Sequence, residues 1–208
     1  MPHYKLTYFD MDGGRAEPIR IALHSAGIDF EDDRFPFTDF PTVRKKTRFN
    51  AVPILEIDGE QLTQTNAIAR YVGKMAGLYP ADDMQALYCD EVMDVFEDVS
   101  HKVVATFGLE GDALKEARQK LVDGWLTTFV RGIGQLLERG GDYFADDRLT
   151  MADLKAFVQV RSLRSGRLDH VPVDLVDRLA PNLAAHQERV AADKRVVAWY
   201  AARKRKVA

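Results

Sequence analysis

Ile54-Leu55-Glu56-Ile57-Asp58-Gly59-Glu60-Gln61-Leu62-Thr63-Gln64-Thr65-Asn66-Ala67-Ile68-Ala69-Arg70-Tyr71 is the stretch on which the fold turns. Two short runs flank an Asp-Gly pair, which favours the left-handed geometry of a two-residue hairpin turn, so Ile54 to Thr63 reads as a β-hairpin. From Thr65 to Met75 the apolar spacing becomes helical, and the helix is expected to end near Gly77. Upstream, Tyr4 to Phe9 reads as a strand and Asp12-Gly13-Gly14 as a turn. Ala16 to Ala26 reads as a helix closed by Gly27, with Pro18 tolerated in its first turn, where a missing N–H costs nothing. Ile28 to Phe35 is a weaker strand. The implied order is β-α-β-α-β-β-α, a mixed four-stranded sheet with helices.

Leu78-Tyr79-Pro80-Ala81-Asp82-Asp83 interrupts this pattern as a linker, and the remainder of the chain reads as helical. Tyr88, Val92, Val95, Phe96, Val99 and Val103 fall on one helical stripe; Leu114, Ala117, Leu121, Trp125, Phe129, Ile133 and Leu136 form a second. Thr150-Met151-Ala152-Asp153 is a capping box, with Leu149 and Leu154 at the staple positions. Pro181 and Lys194 open two further helices. The expected class is α/β plus all-α, with an N-terminal domain over 1–77, a linker over 78–83 and an all-helical domain over 84–208.

Composition narrows the function. Among 208 residues, 46% are hydrophobic, and 29 basic against 32 acidic groups leave a net charge of −3, which argues against a dedicated nucleic-acid binder. One cysteine excludes a disulfide framework, a dithiol redox pair and multi-thiolate metal sites, and the five histidines lack zinc-ligand spacing. No metal site is expected. Residues 1–25 show no signal-peptide core and no apolar run reaches membrane-spanning length, so the expectation is a cytoplasmic protein. Cys89 reads as a helix-packing residue, and Arg203–Lys206 as a solvated basic tail.

Several blocks together carry a resemblance: Tyr4-Lys5-Leu6-Thr7-Tyr8-Phe9, Gly14-Arg15-Ala16-Glu17, Ile19-Arg20, Val52-Pro53-Ile54-Leu55-Glu56-Ile57-Asp58-Gly59, Gln64-Thr65 and Ala67-Ile68-Ala69-Arg70-Tyr71. With the Thr150 box and Val197-Ala198-Trp199, they resemble the sigma class of cytosolic glutathione transferases, which includes glutathione-dependent prostaglandin D synthases. The resemblance implies a thioredoxin-like first domain and a helical-bundle second domain. It also implies a homodimer in detoxification, with glutathione as co-substrate, a small electrophilic or apolar second substrate, and no metal.

It implies roles for particular residues as well. Tyr8 would stabilise the glutathione thiolate by donating a hydrogen bond to the sulfur, since bonding to the charged form lowers a pKa. Read from the strand alone, Tyr8 fits a core tyrosine alternating with Tyr4 and Leu6. Arg15 would assist the sulfur or shape the pocket. Gln64 and Thr65, at a helix start where free N–H groups favour an anion, suit the γ-glutamyl carboxylate. Val52-Pro53 resembles a cis-proline turn whose Val52 backbone pairs with the cysteinyl part. Phe40 and Arg44 stand where the class has a tryptophan and a lysine near the glycyl carboxylate. Phe40 lacks the indole N–H, while Arg44 keeps a charge. Ala51 stands where a lysine is common, and Lys45, Lys46 or Arg48 could compensate.

Asp90, Asp94, Glu97 and Asp98 read as an acidic helix face that calls for a cation nearby. By resemblance, Asp98 reaches the γ-glutamyl ammonium in a partner subunit, and Asp94 and Glu97 match positions that bind a cation in some members. The second substrate would lie against Phe9, Met11, His101, Ala105 and Thr106. The leading expectation is thus conjugation. A prostaglandin-type isomerase and a non-enzymatic carrier or interaction module are the alternatives.

Overall fold

The structure is a computed structural model that describes residues 2–207, with side chains as far as Arg203. The chain divides into two compact units: residues 1–79 with 193–208, and residues 80–192. The expected helical domain ran on to 208, but the last helix clusters with the first unit instead.

In the first unit, β1 (Tyr4–Phe9) is central. It pairs parallel with β2 (Glu31–Phe35) and antiparallel with β3 (Ile54–Ile57), which pairs with β4 (Glu60–Leu62). The sheet order is β2-β1-β3-β4, the thioredoxin-like arrangement. Tyr4, Leu6 and Tyr8 share the buried face of β1, as period-two alternation requires. β2 is shorter than expected, and its outer residues are charged because their partners come from neighbours: Lys5 of β1 lies 3.4 Å from Glu31 and 3.3 Å from Asp33. Asp58 and Gly59 turn the β3–β4 hairpin with positive φ of 50° and 88°, a conformation that glycine and aspartate tolerate.

α1 (Glu17–Ser25) packs on α3 (Thr65–Met75) and on α10 (Lys194–Val207), and Pro18 lies in the first turn of α1. The segment between β2 and β3 is a broken helix: a 3₁₀ turn over Phe37–Asp39, α2 (Phe40–Val43), and another 3₁₀ turn over Arg44–Lys46. Beyond it the Val52–Pro53 peptide is cis.

The second unit holds α4 (Asp83–Val104), α5 (Gly111–Leu121), α6 (Thr127–Gly140), α7 (Met151–Arg164), α8 (Leu175–Leu179) and α9 (Pro181–Ala191). Every residue of α7 from Met151 to Val158 is buried, which marks it as the central helix. The buried positions lie one residue after the expected Leu121, Trp125 and Phe129, around a π turn over residues 122–126 between α5 and α6, and coincide with the expected stripe again at Ile133. The buried seam is Val122, Leu126, Val130, Ile133 and Leu137. No helix among the described residues is long and apolar enough to cross a membrane.

Candidate active site

Tyr8 sits near the C-terminal end of β1, where the chain turns through Gly13 and Gly14 into α1. Both readings of this residue meet in the structure. Its ring is on the core face and 5% exposed, while its hydroxyl faces the turn and accepts the Arg15 backbone N–H at 3.2 Å. The Arg15 carbonyl in turn accepts the Thr65 hydroxyl at 3.2 Å. One residue's backbone therefore ties the end of β1 to the start of α3. Arg15 enters the site through its main chain. Thr65, buried in the first turn of α3, spends its hydroxyl proton on that carbonyl.

Gln64 precedes α3 with φ of 71° and ψ of 105° and is exposed. A non-glycine residue held there stores backbone strain, a feature that clusters at ligand-binding positions. Val52 and Pro53 are buried beside β3.

Phe40 joins an aromatic cluster around Phe9, with ring centroids 5.1 Å from Phe9 and 6.5 Å from Phe35. Phe37 stacks on Phe9 at 4.4 Å and 16°. The Arg44 guanidinium carbon lies 5.5 Å from the Phe40 ring centroid, a cation–π distance, so Phe40 supports the arginine where a tryptophan would donate. Arg44, Lys45, Lys46 and Arg48 are all exposed on this segment, a basic run suited to an anionic tripeptide.

Below Tyr8 lies a group whose role is not apparent from the sequence motifs. Arg20 is fully buried, with its guanidinium carbon 5.8 Å from the Tyr8 ring centroid. It donates to Asp32 at 2.8 Å, to Glu17 at 3.2 Å, and to the carbonyls of Met11 and Phe9 at 2.9 and 3.4 Å. Glu17 also accepts from the Trp199 indole at 2.8 Å. In the sequence, Glu17 and Arg20 show only as opposite charges three apart on a helix; their burial is not written there.

A family model described as the glutathione S-transferase N-terminal domain matches residues 4–74, and one described as the C-terminal domain matches residues 97–203. The chain belongs to the glutathione S-transferase family. It is an enzyme of that family, whose co-substrate is glutathione. Glutathione S-transferase 1 of Ascaris suum is 37% identical over 162 residues, covering 74% of this chain and 77% of its own. A structure described as prostaglandin synthase D of Nilaparvata lugens matches with a TM-score of 0.84 at 29% identity, over 96% of this chain and 97% of that one. The sigma class transferase of Fasciola hepatica matches with a TM-score of 0.82 at 25% identity, over 97% of each chain. The sigma-like reading of the motifs accords with these neighbours.

Other residues singled out for the transferase lie in the second unit. Asp98 is exposed on α4. The acidic face is not uniform: Glu97 turns inward to the buried Lys155 of α7 at 2.8 Å, the cation the like charges called for. Among the described residues no group of three or more His, Cys, Asp or Glu side chains could hold a metal ion. Thr106 is buried; its hydroxyl donates to the Val103 carbonyl and accepts from Arg118, while His101 is exposed. Burial pushes the Cys89 thiol up to about 12, which suits packing and not nucleophilic attack. Of the basic tail, Arg203 is held by Asp10 at 3.2 Å and Asp12 at 3.3 Å and is not a free solvated charge; the side chains beyond it lie outside the described residues.

Proposed function

We propose that this transferase joins the glutathione thiolate to small electrophilic, apolar substrates, with Tyr8 donating its phenolic proton in a hydrogen bond to the sulfur. The observation that carries this reading is the Arg15 backbone, which accepts from Thr65 and donates to Tyr8. Arg15 uses a lone pair of the phenol oxygen, and the proton of that oxygen is what a thiolate needs. An alkyl thiol titrates near 8.5; lowering that by about two units is worth roughly 2.7 kcal/mol and makes the thiolate the major species at pH 7. The thiol proton leaves to solvent, the sulfur pair forms the new S–C bond, and the leaving group departs with its own electron pair. Arg20, below the ring, is a positioning residue for Tyr8.

The anchors follow from charge and geometry. The free N–H groups opening α3, with Gln64 beside them, suit the γ-glutamyl carboxylate. Arg44, stacked on Phe40, suits the glycyl carboxylate, and the Val52 backbone before Pro53 suits the cysteinyl amide. A homodimer in which Asp98 of one copy meets the ammonium bound by the other is supported by the exposure of Asp98 on α4. Sedimentation of a monomer, or an Asp98→Asn variant with unchanged KM for glutathione, would remove that part.

Tyr8→Phe tests the mechanism with an aryl halide. Near pH 6.5, kcat/KM should fall about 30- to 100-fold, with the KM for glutathione little changed, and the pH–rate profile should move up by about two units. A wild type without conjugating activity, or a variant equal to it, would sink the proposal. The likeness to a prostaglandin synthase favours a second reading, glutathione-dependent isomerisation of a prostaglandin-type endoperoxide. Product analysis with prostaglandin H2 decides it, and absence of turnover ends it.

A further inference from the structure

In the parallel pairing of β1 with β2, Leu6 stands opposite Asp32 and Tyr8 opposite Arg34. Neighbours in register share a face of the sheet, so Asp32 and Arg34 lie on the face that buries Tyr8. Alternation calls for apolar residues there, and β2 supplies an acid and a base instead. Their bonds lead to the turn that follows Tyr8. Arg20 of α1 and Arg34 both donate to the Met11 carbonyl, at 2.9 and 3.1 Å, and Arg20 also donates to the Phe9 carbonyl at 3.4 Å. Two guanidiniums on one carbonyl occupy both of its lone pairs. The Asp10 N–H closes the same turn on the Phe35 carbonyl at 2.8 Å. From there the chain runs through Gly13 and Gly14 to the Arg15 N–H, which donates to the Tyr8 hydroxyl oxygen.

Asp32 sets both arginines. One of its carboxylate oxygens accepts from Arg20 Nε at 2.8 Å and the other from Arg34 Nε at 2.6 Å. The Arg20 side chain is fully buried, and those of Arg34 and Asp32 are 9% and 17% exposed, so these charge-assisted bonds are little weakened by water. Each arginine also has acids of its own. Arg20 meets Glu17 at 3.2 Å; Arg34 meets Asp12 at 3.1 Å and Asp10 at 3.5 Å, both of them exposed and shared with Arg203 of α10. Asp32 contacts both arginines, and it fixes their spacing.

We propose that Asp32 is a positioning residue for conjugation: through Arg20 and Arg34 it holds the Phe9–Gly14 turn, and through that turn the Arg15 N–H, where it polarises the Tyr8 hydroxyl. An N–H accepted by the phenol oxygen makes the O–H a stronger donor, because hydrogen bonds in a chain polarise one another. The inference rests on the thiolate role proposed for Tyr8 and extends it to a carboxylate on β2 that none of the sequence motifs singles out.

The test compares the full chain with Asp32→Asn, Tyr8→Phe and the double variant, reading the pH profile of kcat/KM and the ultraviolet absorbance of the bound glutathione thiolate. Asp32→Asn keeps the shape but sets a donor nitrogen against one guanidinium. It should raise the thiolate titration by about one unit, a roughly tenfold fall in kcat/KM near pH 6.5, with the KM for glutathione changed less than about twofold. In the Tyr8→Phe background the same substitution should add little, because its effect passes through the phenol. Arg34→Lys keeps the charge and loses the planar fork; it should move the profile in the same direction, and it decides the matter if Asp32→Asn does not melt cooperatively. An unshifted profile in the folded variant overturns the proposal. So does an equal fall in the wild-type and Tyr8→Phe backgrounds, the mark of a purely structural role. Tyr8→Phe without an effect of its own removes the thiolate reading and this inference together, whereas the other two outcomes remove this inference alone.

Discussion

A hydrogen at one position lets Tyr8 stand where it does. A Cβ built on Gly14 would lie 2.7 Å from the Tyr8 hydroxyl oxygen and 2.9 Å from Cε1, and Gly14 has φ of 67°. Gly14→Ala therefore combines a clash with the candidate catalytic oxygen and a left-handed backbone cost of about 1–2 kcal/mol. The expected outcome is a loss of conjugation at least as large as that of Tyr8→Phe, together with a lower Tm. Tyr8→Phe removes only the acceptor of the Arg15 N–H and should lower the Tm less, so paired kinetic and melting measurements separate the two effects. At this scale the sequence was legible in part. The turn through Gly13 and Gly14 could be read from residue type, because glycine is the ready source of positive φ. That the second of them must be bare could not, since the constraint comes from a side chain folded back from β1. Arg20 was visible as one letter in a motif, but its place beneath a tyrosine depends on burial that no local pattern reports.

Among the elements, α7 rests on its N-terminus. Asp153 accepts from the Thr150 backbone and hydroxyl, both at 2.7 Å, and from the Phe144 N–H at 3.1 Å, with His186 Nε2 at 2.8 Å from the same carboxylate. Thr150, Asp153, Phe144 and His186 are all fully buried. Asp153→Asn replaces an acceptor oxygen by a donor nitrogen, so a buried N–H there faces another donor. We expect a loss of about 2–4 kcal/mol in urea unfolding, against about 1 kcal/mol for Thr150→Ala. The same central packing encloses Cys89. At pH 8 an aromatic disulfide reagent should leave the folded protein unmodified and label about one thiol per chain once it unfolds; fast labelling of native protein would contradict the burial. The capping box was legible because it spans four residues and closes on itself. The register of α5 and α6 was not. A π turn takes more residues per turn than the 3.6 of an α-helix, so a constant 3.6 period cannot follow the buried face through residues 122–126. β2 was legible as a strand but not in its extent: charges on an edge strand blur its start until their partners from β1 and α1 are known.

At the scale of the whole molecule, the near-neutral composition conceals pairing between distant segments. Burial would raise the Asp12 carboxyl, but hydrogen bonds from Arg34 and Arg203 outweigh it and hold the group below its ordinary value. A carboxylate with a depressed folded pKa favours the folded state above its unfolded value of about 4, and that contribution disappears as the pH falls through the depressed value. Acid unfolding followed by tryptophan fluorescence should thus lose part of its dependence below about pH 4 in Asp12→Asn. An unchanged acid limb would show that the pairs with Arg34 and Arg203 add nothing to stability.

The junction of Glu17 with Trp199 has a consequence for how the protein is made. The two residues are 182 positions apart, yet they meet in the interior of the unit built from residues 1–79 and 193–208. At roughly 5–20 residues per second, a ribosome that has finished Glu17 needs about 10–40 s more before Trp199 is joined. During that interval the Glu17 carboxylate has Arg20 of its own helix but not the Trp199 indole, while residues 80–192 are all joined before Trp199 is added. The first unit to be translated is the last to be completed.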